Sequence, residues 1–202
     1  MEIPYTRSRY YNLYINGIYW GIFMTQERVT DEYAESYFGG DEDDYDVVKH
    51  SRSDEFRYEA TSGTTTSWNQ IFSYVEDQTI NAAEFAAIDA MVDLENLADY
   101  IMINAYEGDT DGSPSSFLSS FRRSNNWYAV RDAVGDRTKW RFFQHDGEHS
   151  MGARRRPDLE NNLLGPYPPF DGQSNSFFEA AFSIPTGYTP HSRAMQSIAS
   201  GS

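Results

Sequence analysis

The sequence predicts an α+β fold: an N-terminal antiparallel hairpin, a helical stretch, then a second antiparallel hairpin. Three observations carry this. Residues 10–15 and 18–24 are β-branched and aromatic runs around Asn16-Gly17, the strongest short hairpin signal because both turn positions take positive φ. Between residues 68 and 105 apolar side chains recur at helical spacing. Residues 127–131 and 139–145 are aromatic-rich strands joined across Val134-Gly135-Asp136.

In the first hairpin Leu13 and Ile15 share one face, and Ile18, Trp20, Ile22 and Met24 share another. Thr30 is placed to cap a short helix. Asp31 and Glu32 suit its positive start and Gly39-Gly40 ends it. Residues 41–46 form an acidic loop and residues 45–49 a strand. Residues 51–66 are polar and read as a mobile loop. Trp68, Ile71, Phe72 and Val75 then repeat at helix spacing, and Asn81 with Glu84 resembles a capping box for a second helix. Asp93 caps a third, whose apolar stripe is Leu94, Leu97, Ala98, Ile101, Met102 and Ala105. A Gly/Asp/Ser loop over residues 108–116 follows. Beyond Met151 the Pro, Gly and Ser content gives no firm element except a helix at residues 176–182.

Composition narrows function. The 202 residues suit one domain with a core of its own. With 16 basic residues against 31 acidic ones the net charge is −15, which repels phosphate backbones and argues against nucleic acid. The absence of cysteine removes disulfide scaffolds, thiol catalysis and Cys-ligated metal sites. No apolar run is long enough to span a membrane, and the first residues lack a signal-peptide core. The 15 Tyr, 13 Phe and 4 Trp argue against disorder. Lys49 and Lys139 are the only lysines.

Three side chains stand where chemistry could be built. Asp111 lies in the loop after the third helix, Asn126 directly precedes a strand, and Asp146 directly follows the strand that pairs with it. The hairpin puts Asn126 and Asp146 at one end, which Asp111 can reach from its loop. Protein kinases use this order: one Asp accepts the proton of the attacking hydroxyl, while an Asn and a second Asp hold Mg²⁺ on the nucleotide phosphates. Taken alone, the order is a weak signal and is more often that of caps and turns.

Four blocks add to it. YYNLYINGIYWGIFMTQERVTDEYAESYFGGDEDDYDVVKH, DLENLADYIMINAYEGDTDG, NNWYAVR and KWRFFQHDGEH, in that order, resemble the spore-coat-protein-H (CotH) kinase family. That family is an atypical, protein-kinase-like group whose best-known members phosphorylate coat proteins of bacterial spores. Related domains occur on secreted and surface proteins of bacteria. The resemblance implies a divergent protein-kinase-like fold, with the core over residues 1–152, incomplete at its N-terminal side, and an irregular segment over residues 153–202. It implies transfer of the ATP γ-phosphoryl group, with Mg²⁺, to Ser or Thr of a protein, in the spore coat or on the bacterial surface. Carried over by position, Asp111 matches the catalytic base, and Asn126 and Asp146 match the metal ligands. Lys49 and Glu27 match a nucleotide-binding lysine and its partner. The chain departs from the family at Asp109, where Asn is usual, and at His145, where many members have Trp. The interval between Asp111 and Asn126 is long, so it must fold back.

Other readings compete. A catalytically inactive kinase-like surface or coat module would keep the blocks and lose turnover. A metal site of Asp146, Glu148 and His149 needs adjacent side chains to converge on irregular backbone. The run Asp41, Glu42, Asp43, Asp44 and Asp46 lacks the Gly and distant Glu of a calcium loop and reads as a solvated turn. Arg154, Arg155 and Arg156 form one basic cluster suited to acidic or phosphorylated groups. Among Tyr11, Tyr14, Tyr19, Trp20 and Trp127, core or sheet surface is the plain reading, and adenine stacking the functional one. A two-carboxylate glycosidase has no local support.

Overall fold

The first hairpin forms as its turn dictates. In a computed structural model, which describes residues 4–51, 58–74, 80–112 and 125–151, β1 (Ser8–Ile15) pairs antiparallel with β2 (Ile18–Gln26). Asn16 and Gly17 sit at φ 51° and 80°, the positive values a tight hairpin turn requires. Among the described residues this sheet has two strands and its side chains are largely exposed: Tyr10 is 73% exposed and Trp20 59%.

Among the described residues, the hairpin is anchored at its base. Glu27 N–H donates to Arg7 O at 2.9 Å, and Arg7 N–H donates to Glu27 Oε2 at 2.8 Å. Tyr37 OH donates to Glu27 Oε1 at 2.6 Å, and Tyr33 OH to Tyr5 O at 2.8 Å. Both tyrosines belong to α1 (Asp31–Phe38), which Thr30 caps through Tyr33 N–H and Gly39 closes at φ 79°.

The second sheet holds the core. Its order is β4-β3-β5-β6, all antiparallel, from β3 (Tyr45–His50), β4 (Tyr58–Ser62), β5 (Trp127–Asp132) and β6 (Arg141–Gln144). Side chains alternate between two buried faces. Val47, Tyr128, Val130 and Phe143 pack with Val29, Tyr33 and Ala34 around α1. Val48, Trp127, Ala129 and Phe142 pack under α2 (Thr66–Ser73), α3 (Ala82–Met91) and α4 (Leu94–Glu107), against Trp68, Ile71, Ile88, Leu97, Tyr100 and Ile101. The Trp68 and Trp127 rings stack at 5.1 Å.

Several expectations are corrected. Residues 51–66 contain a strand, β4, recruited by the edge of β3; Tyr58 is buried, and the pairing overrides its polar sequence. The acidic loop is a 3₁₀ turn over Glu42–Asp44, but Asp46 is buried, ion-paired to Arg131 at 2.7 Å and accepting from Thr64 N–H at 2.6 Å. On α4 the buried face is Asn96, Leu97, Tyr100, Ile101 and Asn104, while Met102 is exposed. Asn96 faces inward because β6 offers an unpaired backbone edge: its Oδ1 accepts from Phe142 N–H at 2.6 Å, and its Nδ2 donates to Phe142 O at 3.3 Å. The Asn81–Glu84 capping box and the Asp93 cap form as read. Val75, residues 113–116 of the expected loop, the Arg154–Arg156 cluster, the helix at residues 176–182 and the segment 153–202 lie outside the described residues. Among the described residues no helix is long and apolar enough to cross a membrane.

Candidate active site

The end of the second sheet where β5 starts and β6 stops gathers the polar side chains. Gly108, at φ 64°, ends α4, and the chain turns at once into a loop. Asp109, 1% exposed, shapes that loop by accepting from Asp111 N–H at 3.0 Å and from Gln144 Nε2 at 3.3 Å. Burial pushes the Asp109 carboxyl above its usual range, and the charges of Asp111 and Glu107 push the same way, against those two hydrogen bonds. Gln144 also donates to Glu107 Oε2 at 2.9 Å, tying α4 to β6.

Asp111 is brought to Asn126 by a direct closure. Asn125 N–H donates to Gly112 O at 2.9 Å, so the interval between them begins and ends at one point. Asn125 is 3% exposed and its Nδ2 donates to Asp111 Oδ1 at 2.9 Å. Asn126 Nδ2 donates to Asp111 Oδ2 at 3.2 Å and to Asp146 O at 3.5 Å. With the amide nitrogen committed to two acceptors, Oδ1 is the atom Asn126 has left for a ligand. Asn126 (φ 52°) and Asp146 (φ 58°) both take left-handed backbone, uncommon outside glycine. Asp146 opens a 3₁₀ turn, Gly147–His149, without using its carboxylate as the cap. His149 Nδ1 lies 3.7 Å from Asp111 Oδ2.

Of the three residues singled out by order in the sequence, Asp111 and Asn126 therefore join side chain to side chain, and Asp146 joins them at this end of the sheet through its backbone carbonyl. Lys49 lies at the same end of the sheet, in register with Tyr128 and through it with Phe143. Its ammonium is 2.9 Å from Glu59. Glu27 has other partners, Arg7 and Tyr37, and sits at the hairpin base, so the structure does not join Lys49 to Glu27. His145 carries a lowered pKa, from burial first and then from the charges of Arg28 and Lys49, against Asp146. Among the described residues no three His, Asp or Glu side chains converge as a metal site, which leaves Asp146, Glu148 and His149 short of one, and the acidic run as well.

A cavity of about 1050 Å³ opens beside Asp146. Its walls come from the hairpin base (Tyr5, Arg7), α1 (Tyr37), α4 (Glu107) and the end of β6 (Gln144, Asp146). Lys49, Glu27, Asp111 and Asn126 are not in its walls.

A model of the CotH kinase protein family matches residues 1–182. The chain belongs to that family. No curated protein and no solved structure matches it. Membership in the CotH family brings a kinase-like character and the family's spore-coat association, and the mixed α+β architecture with two antiparallel sheets is compatible with it.

Sequence reasoning missed Asn125, the buried amide that orients Asp111. Its signal was the Asn125-Asn126 doublet, of which only the second member drew notice. It also missed the Glu27–Arg7–Tyr37 clamp, for which no local pattern exists because Tyr37 comes from a different element.

Proposed function

We propose that this chain is a divergent protein-kinase-like phosphotransferase that moves the ATP γ-phosphoryl group to a Ser or Thr hydroxyl of a protein. The observation that supports the reading is that Asp111 and Asn126, joined side chain to side chain, and Asp146, joined to Asn126 through its carbonyl, lie at one sheet end, with Asp146 in the wall of a cavity large enough for a nucleotide. Asp111, oriented by Asn125 and Asn126, accepts the proton of the hydroxyl whose oxygen bonds to the γ-phosphorus. The bond from that phosphorus to the β,γ-bridging oxygen breaks, and ADP leaves with its electron pair.

The residues fit Mg²⁺. Asn126 Oδ1 and the Asp146 carboxylate are hard oxygen donors, and one or two protein oxygens completed by substrate phosphates is how this ion is usually held. When bound, Mg²⁺ supplies neutralisation of the phosphate charge, which a site walled by Glu107 and Asp146 requires. The acceptor fits a Ser/Thr-containing coat or surface protein, and the place fits the spore coat or the bacterial surface, both by family membership.

Calorimetric titration of Mg-ATP tests this. Binding is expected in magnesium, and its loss in EDTA and in Asp146→Ala. Transfer from radiolabelled ATP should vanish in Asp111→Ala. Equal ATP binding with and without Mg²⁺ sinks the mechanism. The exposed aromatic hairpin favours a second reading, a catalytically inactive surface or coat interaction module. No transfer by the wild type under conditions where Mg-ATP binds would support it.

A further inference from the structure

We infer that Arg7, held by Glu27 and lying over the Tyr37 ring, is the cation that meets the phosphate chain in the cavity beside Asp146. The inference rests on the nucleotide reading of that cavity, and it gives Arg7 the task the family resemblance assigns to Lys49. Arg7 and Asp146 line the same cavity, which Lys49 does not.

The clamp at the hairpin base fixes Arg7 from both sides. Its backbone N–H donates to Glu27 Oε2 and its backbone carbonyl accepts from Glu27 N–H, which fixes the main chain from which the guanidinium extends. The guanidinium carbon lies 5.1 Å from the centre of the Tyr37 ring. A guanidinium carries its N–H groups on a planar edge that matches phosphate oxygens two at a time. None of the ion pairs among the described residues involves Arg7. The other arginine in the cavity wall, Arg141, is already committed to Asp93 at 3.2 Å. Glu27 thus acts on Arg7 indirectly, through its main chain and through the Tyr37 ring that the guanidinium lies over. That arginine precedes it by twenty residues and is brought back to it by the hairpin.

The experiment titrates Mg-ATP and, separately, magnesium tripolyphosphate into the wild type, Arg7→Ala, Arg7→Lys and Lys49→Ala. Thermal melts confirm that each variant is folded. Arg7→Ala should weaken both ligands by about 10- to 100-fold, the range for a lost charged hydrogen bond. Arg7→Lys should recover part of the loss, and Lys49→Ala should stay within about threefold. Glu27→Gln should weaken tripolyphosphate in the wild type but not in Arg7→Ala, a non-additivity that a purely structural role would not give. Loss of binding in Lys49→Ala with Arg7→Ala unchanged overturns the inference and leaves the nucleotide reading standing. Arg7-dependent tripolyphosphate binding without Mg-ATP binding overturns the nucleotide reading instead. Failure of both ligands to bind the wild type overturns both.

Discussion

The two sheets are written in nearly the same alphabet and end in opposite environments. β1 and β2 carry Tyr, Ile, Trp, Phe and Met and leave them in solvent, whereas β3, β5 and β6 bury both faces. The lesson is that β-branched and aromatic residues around a tight turn specify pairing, while burial is decided by what packs on the strands. The second sheet has α1 on one face and three helices on the other. The first has a clamp at its base and nothing described along its length.

The sharpest test of the difference replaces one tryptophan in each sheet. Trp127→Ala empties a site stacked on Trp68 and should cost about 3–5 kcal/mol in urea unfolding. Trp20→Ala removes an exposed ring and should stay within about 0.5 kcal/mol. Equal costs would mean that the hairpin is packed in solution after all.

Asn125→Ala comes next. It strips a buried hydrogen bond from the Asp111 carboxylate, and the expected loss is about 2 kcal/mol, with phosphoryl transfer falling alongside. Retention of full transfer would show that Asp111 needs no such orientation. In the hairpin, Gly17→Ala forces a side chain into left-handed backbone, for about 1 kcal/mol. Because, among the described residues, the hairpin is anchored at its base, its strand amides should gain hydrogen-exchange rate while those of β3 and β5 do not.

The smallest effect is at Asp109. Its folded-state pKa is raised above 3.8, so between that value and the folded pKa the folded state binds more protons than the unfolded one. Stability is therefore lost as pH rises through this window. Asp109→Asn keeps an acceptor for Asp111 N–H, loses the one for Gln144 Nε2 and removes the titration, so its stability should gain on that of the wild type as pH rises above 3.8. A difference from the wild type that stays constant over this rise would assign the effect to something other than charge.

Much of this was legible in the residues, and the rest was not for definable reasons. Turns and caps act within a few residues, so Asn16-Gly17, Thr30, Asn81 and Asp93 could be read directly. That Asn126 and Asp146 fall at one end of the sheet was legible from the order of residues, because a hairpin brings its two ends together. Asn96 was hidden because its inward position answers an edge of β6 that is 46 residues away. β4 was hidden because its five residues are mostly polar and only pairing with β3 makes them a strand. Lys49 and Glu27 were joined on resemblance, and their actual partners, Glu59 and Arg7 with Tyr37, follow from tertiary geometry that no local pattern encodes.

The hydrogen bond between Asn125 N–H and Gly112 O has a consequence for how such chains can diverge. Gly112 and Asn125 are held together by this bond, so the number of residues between them does not set the distance between Asp111 and Asn126. Doubling their length would add only roughly 0.6 kcal/mol of closure entropy. The interval is thus a place where sequence can be exchanged, lengthened or trimmed among related chains without disturbing the carboxylate and amide on either side.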